Sequence, residues 1–318
     1  MKIAILGAGA LGCAMGSCLS EDGHEVWLLN RRLDHVQAIQ AGGLRVHEQG
    51  SEKVISIQAA CTAQEMLKQA GVADLILVLV KSFHTAEAIR SAQCIVGPHT
   101  LVLSLQNGLG HEQVLTSMVG HDKVIAGKTY AGGVLLGPGE IIRGTQGKET
   151  FIGELDGRLS PRVEHVAKLF NAAGLLTYIS DDIMAVMWEK LLINVATGAL
   201  SGITHLTYGD LYQVPEVKAC ALAAVQEAID VAKASGVQLS TSDPEQAWNK
   251  AAAGLPADFK ASMLQSLEKG SITEVDFING SVVRAGQRCG VPTPVNHTLV
   301  ACLKGIERQL FKNQKEAA

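Results

Sequence analysis

Three groups of residues in this sequence could do chemistry. Lys190 and Asn194 stand one helical turn apart in Trp188-Glu189-Lys190-Leu191-Leu192-Ile193-Asn194-Val195. Val186 and Met187, at i−4 and i−3, share the lysine's face, which is otherwise apolar. Such a lysine either snorkels to solvent or sits in a cleft with a lowered pKa, ready to donate a proton. Glu274 is a second candidate. With Ser271 it has the S-x-x-E spacing of a capping box, so it is also open to a purely structural reading. The third group is Gly7-Ala8-Gly9-Ala10-Leu11-Gly12, between the aliphatic run Lys2 to Leu6 and a small-residue helical pattern. G-x-G-x-x-G between a strand and a helix is the arrangement that binds a dinucleotide pyrophosphate. Gly7 allows the tight turn, Gly9 lets the backbone approach the phosphates, and Gly12 lets the helix pack close to the strand. The helix N-terminus offers free N–H groups to the anion.

These residues need elements to hold them. A second strand, Glu25 to Leu29, is followed by Asn30-Arg31-Arg32. In a fold of this type that strand end lies beside the adenosine ribose, where an acid favours NAD. No acid stands there, and a guanidinium fork suits a phosphate, so Arg31 points to NADPH. Asp34 is better placed to start the next helix. Short strands at 44–47 and 54–57 read as an inserted hairpin, and Cys61 to Ala70 as a helix. Asp74 to Val80 is a continuous aliphatic run, as in a strand buried on both faces of a parallel sheet. Lys81 stands at its end. A helix at 84–93 leads to the strand Thr100 to Leu105, which ends in Gln106-Asn107-Gly108. Val124 to Gly127 is a further strand, with Lys128 at its end. Ligands of open α/β sheets bind outside the carboxyl ends of the strands. Residues 7–12, Arg31, Lys81 and Asn107 are therefore expected to converge on one crevice.

Short strands and turns fill 130–180, with a helix at 161–173 and a strand at 175–179. The periodicity then becomes helical to the end: a long helix from 183, then about 215–235, 244–253, 257–268, 273–289 and 296–312. The expected architecture is an α/β Rossmann-type dinucleotide-binding domain, 1–181, and an all-α domain, 182–318, for substrate and dimerisation. The last few residues read as a frayed end. Net charge is −4, which gives no electrostatic footprint for nucleic acid. No apolar run reaches the length of a membrane span, and the chain starts directly on a strand with no signal peptide. Seven scattered cysteines without a C-x-x-C pair suggest reduced thiols in a cytoplasmic protein and no metal site. Charged residues make up 18%, below the usual value of about 25%, which leaves room for a homodimer interface.

The chain resembles the ketopantoate reductases (2-dehydropantoate 2-reductases) over nearly its whole length. The resemblance rests on K-I-A-I-L-G-A-G-A-L-G at the start, Lys81, Q-N-G at 106–108 and W-E-K-L-x-x-N at 188–194. S-M-L-Q at 262–265, E-V-D-F-I-N-G at 274–280 and G-V-P-T-P at 290–294 complete it. It implies reduction of 2-dehydropantoate to pantoate, a step of pantothenate biosynthesis, with NADPH as cofactor. It further implies Lys190 as general acid and Glu274 as a carboxylate in the same cleft. Lys81 and Asn107 match residues near the nicotinamide and substrate, Asn194 and Ser262 match the substrate pocket, and Gly7, Gly9, Gly12 and Arg31 match the NADPH positions. Three positions depart from the family pattern: Gly198 and Phe259, where asparagines are common, and Tyr208, where a small amide is commoner. Lys128 stands where a small or hydroxyl residue is usual. These departures leave open a D-2-hydroxyacid dehydrogenase acting on another branched or aromatic 2-oxo acid. A non-catalytic NADPH-binding regulator is a reading of another class, opposed by the intact Lys190, Asn107 and Glu274.

Overall fold

A computed structural model of the chain describes residues 1–317, with side chains through Asn313, so most side chains of the expected frayed end lie outside the described residues. The chain divides into two compact units. One comprises Met1–Gln106 and His111–Ile183, the other Asn107–Gly110 and everything from Met184 onward.

The first unit opens with β1 (Lys2–Leu6), α1 (Ala10–Glu21), β2 (Glu25–Leu29) and α2 (Leu33–Gly42). The hairpin β3 (Leu44–Glu48) and β4 (Ser51–Ile55) follows, then a strand the sequence reading missed, β5 (Gln58–Ala60). Next come α3 (Ala63–Ala70), β6 (Ala73–Val78), α4 (Thr85–Ser91), β7 (Val96–Ser104), α5 (His111–Val119) and β8 (Val124–Thr129). β9 (Gly132–Gly137), β10 (Glu140–Gly144), β11 (Thr150–Gly153), α6 (Pro161–Ala172) and β12 (Thr177–Ile179) complete it. The main sheet has the order β12-β11-β8-β7-β6-β1-β2-β5, with β5 through β8 parallel and β11 antiparallel to β8. The strand order therefore reverses beside β1, the switch point at which such sheets take their ligand.

Side chains alternate through this sheet with a period of two. Ile3, Ile5, Leu28, Leu75 and Leu77 enter one core with α1 and α6; Ala4, Leu6, Trp27, Ile76 and Val78 enter the other with α3 and α4. Helix α1 is buried at every position from Gly12 to Leu19. A helix apolar all round needs cover on all sides. A second sheet, β4-β3-β10-β9, supplies it by packing on the side of α1 away from the main sheet.

In the second unit α7 (Ile183–Thr204), α8 (Tyr208–Leu211), α9 (Pro215–Ala234), α10 (Pro244–Ala252), α11 (Ser262–Glu268), α12 (Asn279–Cys289) and α13 (Pro294–Ala317) build an all-helical bundle. Helix α7 is long and apolar enough by composition to cross a membrane, yet 67% of its most apolar window is buried in the protein. Glu227 accepts from the N–H groups of Val295 and Asn296, tying α9 to the donor-rich start of α13. Two expected helices are shorter than the sequence suggested. The one at 257–268 starts only at Ser262, because the carbonyls of Ala257 and Phe259 accept from the nitrogens of Gly209 and Tyr208 at the start of α8, at 2.7 and 2.9 Å. The one at 273–289 is a 3₁₀ turn, Val275–Phe277, broken from α12 at Ile278 (φ −104°, ψ −94°).

Candidate active site

The glycine loop in the first unit is explained by three separate constraints. Gly7 has φ +99°, and a Cβ there would lie 2.5 Å from the Val80 nitrogen after β6. A Cβ on Gly12 would overlap the Gly7 carbonyl oxygen. Gly9 is different. Its φ of −85° suits any residue, and a Cβ there would meet no protein atom within 4 Å. Nothing in the chain itself requires a glycine there, and the backbone stands open. Gly9 is also the N-cap of α1 with no side-chain cap, and the first turn holds no acid. Open backbone, uncapped N–H groups and a positive dipole end fit a dinucleotide pyrophosphate. Ala8, Ala10 and Leu11 complete the loop, with the Ala8 nitrogen donating to the Leu29 carbonyl at 3.1 Å.

Asn30 fills the strand-end position where an acid would favour NAD. Its amide donates to the Ala8 carbonyl at 2.6 Å and accepts from the Arg32 nitrogen at 3.0 Å, so it pins the loop to β2. Arg32 is engaged locally. Its fork closes on Asp34, in the first turn of α2, and the guanidinium holds that carboxyl below its ordinary pKa. Arg31 extends over the carboxyl edge instead and reaches His84 and Glu87, beyond β6. Lys81 lies three residues past the end of β6 and is exposed, leading into a 3₁₀ turn, Ser82–His84. Gln106 ties the neighbouring strand ends together. Its amide donates to the Val80 carbonyl at 2.8 Å and to the Thr85 hydroxyl at 2.9 Å. Lys128 is not at a strand end: it is inside β8, 5% exposed, donating to the Tyr130 hydroxyl at 2.7 Å beneath two aromatic rings.

Asn107 belongs to the second unit, with Gly108–Gly110. Gly108 has φ +90°, a Cβ there would overlap the Phe277 carbonyl oxygen, and the Leu109 nitrogen donates to that oxygen at 3.0 Å. The loop is thereby fixed to the turn that follows Glu274. Glu274 itself is 7% exposed and does not cap a helix. The capping-box reading fails because the Ser271 hydroxyl donates to the Ser266 carbonyl. The segment is held from α13, where buried Glu307 accepts from both the nitrogen and the hydroxyl of Thr273, each at 2.7 Å. Lys304 donates to Glu307 and Asp276. Burial works against its charge, but those carboxylates outweigh it and raise its pKa. Asn279-Gly280, odd inside a helix, begin α12 instead, and a Cβ on Gly280 would sit 3.2 Å from the Val275 carbonyl oxygen.

Lys190 and Asn194 are half-buried on α7, and Ser262 is exposed at the start of α11. Asn194 lies one turn beyond Lys190 on the same helix. Two turns beyond Lys190 the face of α7 becomes aromatic-lined. The Thr197 hydroxyl is 2.8 Å from the Tyr208 hydroxyl, and the Tyr208 ring meets Phe259 edge to face at 5.0 Å. Burial raises the Tyr208 pKa, against a smaller opposing effect of Thr197. A Cβ on Gly198 would contact Met263 at 3.3 Å, so that methionine fills the room an asparagine would use. The sequence reading missed Glu87 and Glu307, and it gave no role of their own to Asn30, Gln106 and Met263, although each stands in a stretch it singled out.

Comparison with known proteins gives a consistent picture. The family profile described as ketopantoate reductase PanE/ApbA matches residues 3–157, and its C-terminal counterpart matches 182–307. The 2-dehydropantoate 2-reductase of Halobacterium salinarum is 33% identical over 97% of this chain and 99% of its own. A ketopantoate reductase family structure from Ralstonia eutropha is 35% identical, with a TM-score of 0.88 over 98% of this chain and 99% of that one. D-mandelate dehydrogenase with NADH and anilino(oxo)acetate is 27% identical, with a TM-score of 0.89 over the same shares.

Proposed function

The chain belongs to the ketopantoate reductase family, oxidoreductases acting on a CH–OH group, and we propose that it reduces a 2-oxo acid with NADPH, by default 2-dehydropantoate to pantoate. The observation that carries the cofactor half is Gly9, a glycine that neither its own backbone conformation nor any neighbour requires. Arg31 at the end of β2, with Asn30 in place of an acid, supports the phosphorylated cofactor.

When bound, the nicotinamide supplies the hydride that makes the new C–H bond. The ketone oxygen then gains negative charge. Lys190 stabilises that charge as an ammonium and delivers its proton to the same oxygen, so ketone, hydride and proton yield the alcohol. Glu274, fixed through Thr273 and Glu307, orients substrate and lysine. Asn194, Ser262 and Asn107 hydrogen-bond the polar groups of the substrate, and Lys81 lies with the cofactor.

A second reading is favoured by the Tyr208–Phe259 pair and by Met263 over Gly198. An apolar wall of that kind accepts a flat aromatic substituent better than a hydroxylated one, which describes a D-2-hydroxyacid dehydrogenase for aryl 2-oxo acids. NADPH oxidation with 2-dehydropantoate, branched and aryl 2-oxo acids separates the two. Highest kcat/KM on 2-dehydropantoate supports the default, and highest on an aryl acid supports the second reading. Turnover of none of them rejects both.

A further inference from the structure

Arg31 does not wait with an open fork. Its Nη1 donates to both carboxylate oxygens of Glu87, at 3.0 and 3.1 Å, and its Nη2 to His84 Nε2 at 3.1 Å. The His84 Nδ1 lies 3.2 Å from Glu87 Oε2. Arginine can only donate, so Nε2 accepts and Nδ1 carries the hydrogen toward Glu87. The three side chains form a closed triangle with the imidazole as its wedge. Its members come from opposite sides of the switch point, Arg31 after β2 and the other two after β6, with β1 between them. Arg32, by contrast, closes on Asp34 two residues away.

Building on the assignment of Arg31 to NADPH, we propose that Glu87 sets the margin by which this chain prefers NADPH over NADH. The Glu87 carboxylate takes the Nη1 donor with both oxygens and His84 takes Nη2, so the donors that a ribose 2′-phosphate would use on this guanidinium are engaged. A phosphate arriving there must displace the carboxylate or lie beside it, and two like charges at that range repel. NADH brings no phosphate and leaves the triangle intact. Arg31 and Glu87 are 66% and 59% exposed, so the pair is weak enough to exchange. Glu87 thus lowers the affinity for the phosphorylated cofactor selectively, and His84 holds it in place.

Dissociation constants for NADPH and NADH, measured by titration calorimetry on the full chain, test this in the wild type, Glu87→Gln, Arg31→Ala and the double variant. Glu87→Gln is expected to raise the ratio of the NADH constant to the NADPH constant about fivefold. The same change in the Arg31→Ala background is expected to leave the ratio where Arg31→Ala put it. A ratio unchanged or lowered by Glu87→Gln, with Arg31→Ala still weakening NADPH, overturns the role of Glu87 alone. NADPH binding unaffected by Arg31→Ala overturns the assignment of Arg31 on which it rests.

Discussion

In the first unit the candidate site is made of backbone: Gly7, Gly9 and Gly12 matter for the side chains they lack, and the N–H groups of α1 carry no side-chain cap. In the helical unit it is made of side chains, and Lys190, Asn194 and Glu274 matter for what they present. A backbone site depends on local sterics, which leave a fixed spacing in the sequence. A side-chain site depends on which distant element braces each residue. Glu274 is braced from Glu307 through Thr273, and nothing near Glu274 in sequence announces it.

The sharpest way to break this contrast is Lys190→Ala. Turnover should fall about 10²- to 10⁴-fold while the NADPH dissociation constant stays within a factor of two or so of wild type. Steady-state rates with a cofactor titration check both, and a rate near wild type would remove the lysine from the chemistry. The glycine loop allows a finer separation. Gly7→Ala places a Cβ against Val80 at positive φ and should lower stability by about 2–4 kcal/mol in denaturant unfolding. Gly9→Ala should change stability by less than about 0.5 kcal/mol, because no neighbour objects. It should nevertheless weaken NADPH roughly tenfold, and equal effects on folding from the two alanines would contradict the distinction. The smallest effect on function belongs to the brace. Glu307→Ala should lower stability by about 1–3 kcal/mol, since it strands two donors of Thr273, and should lower kcat several-fold through Glu274. Glu307→Gln keeps an acceptor and should restore most of both. Loss of stability with kcat untouched would make Glu307 structural only.

The same division explains what the sequence disclosed. The parallel sheet was legible because its strands are continuous aliphatic runs, and the glycine loop because its three glycines stand at a fixed spacing between a strand and a helix. Asn30 and Arg31 could be placed because they follow a strand whose end was evident. The small second sheet was half legible. Its hairpin was visible, but β9 and β10 join it from far along the chain, a long-range pairing that no local pattern encodes. The capping-box spacing of Ser271 and Glu274 misled, because the Ser266 carbonyl takes both the hydroxyl and the nitrogen of Ser271, while Glu307 clamps the neighbouring Thr273. The break at Ile278 was hidden for the same reason, since a continuous helical pattern gives no sign of a tertiary clamp. At Lys128 the strand runs further than its aliphatic core, and two rings shelter the charge.

The Asn107–Gly110 loop has a consequence for the order in which the protein is made. Chains emerge from the ribosome N-terminus first, and domains tend to fold as they appear. The glycine cradle, Arg31 and the strands around them are all present once the first third of the chain is out. The loop that begins with Asn107 emerges at the same stage, but its partner, the carbonyl of Phe277, follows far downstream. A nascent chain therefore acquires the glycine cradle long before the loop carrying Asn107 takes its final form. Hydrogen–deuterium exchange at the Leu109 amide would thus report the arrival and folding of the segment around Phe277.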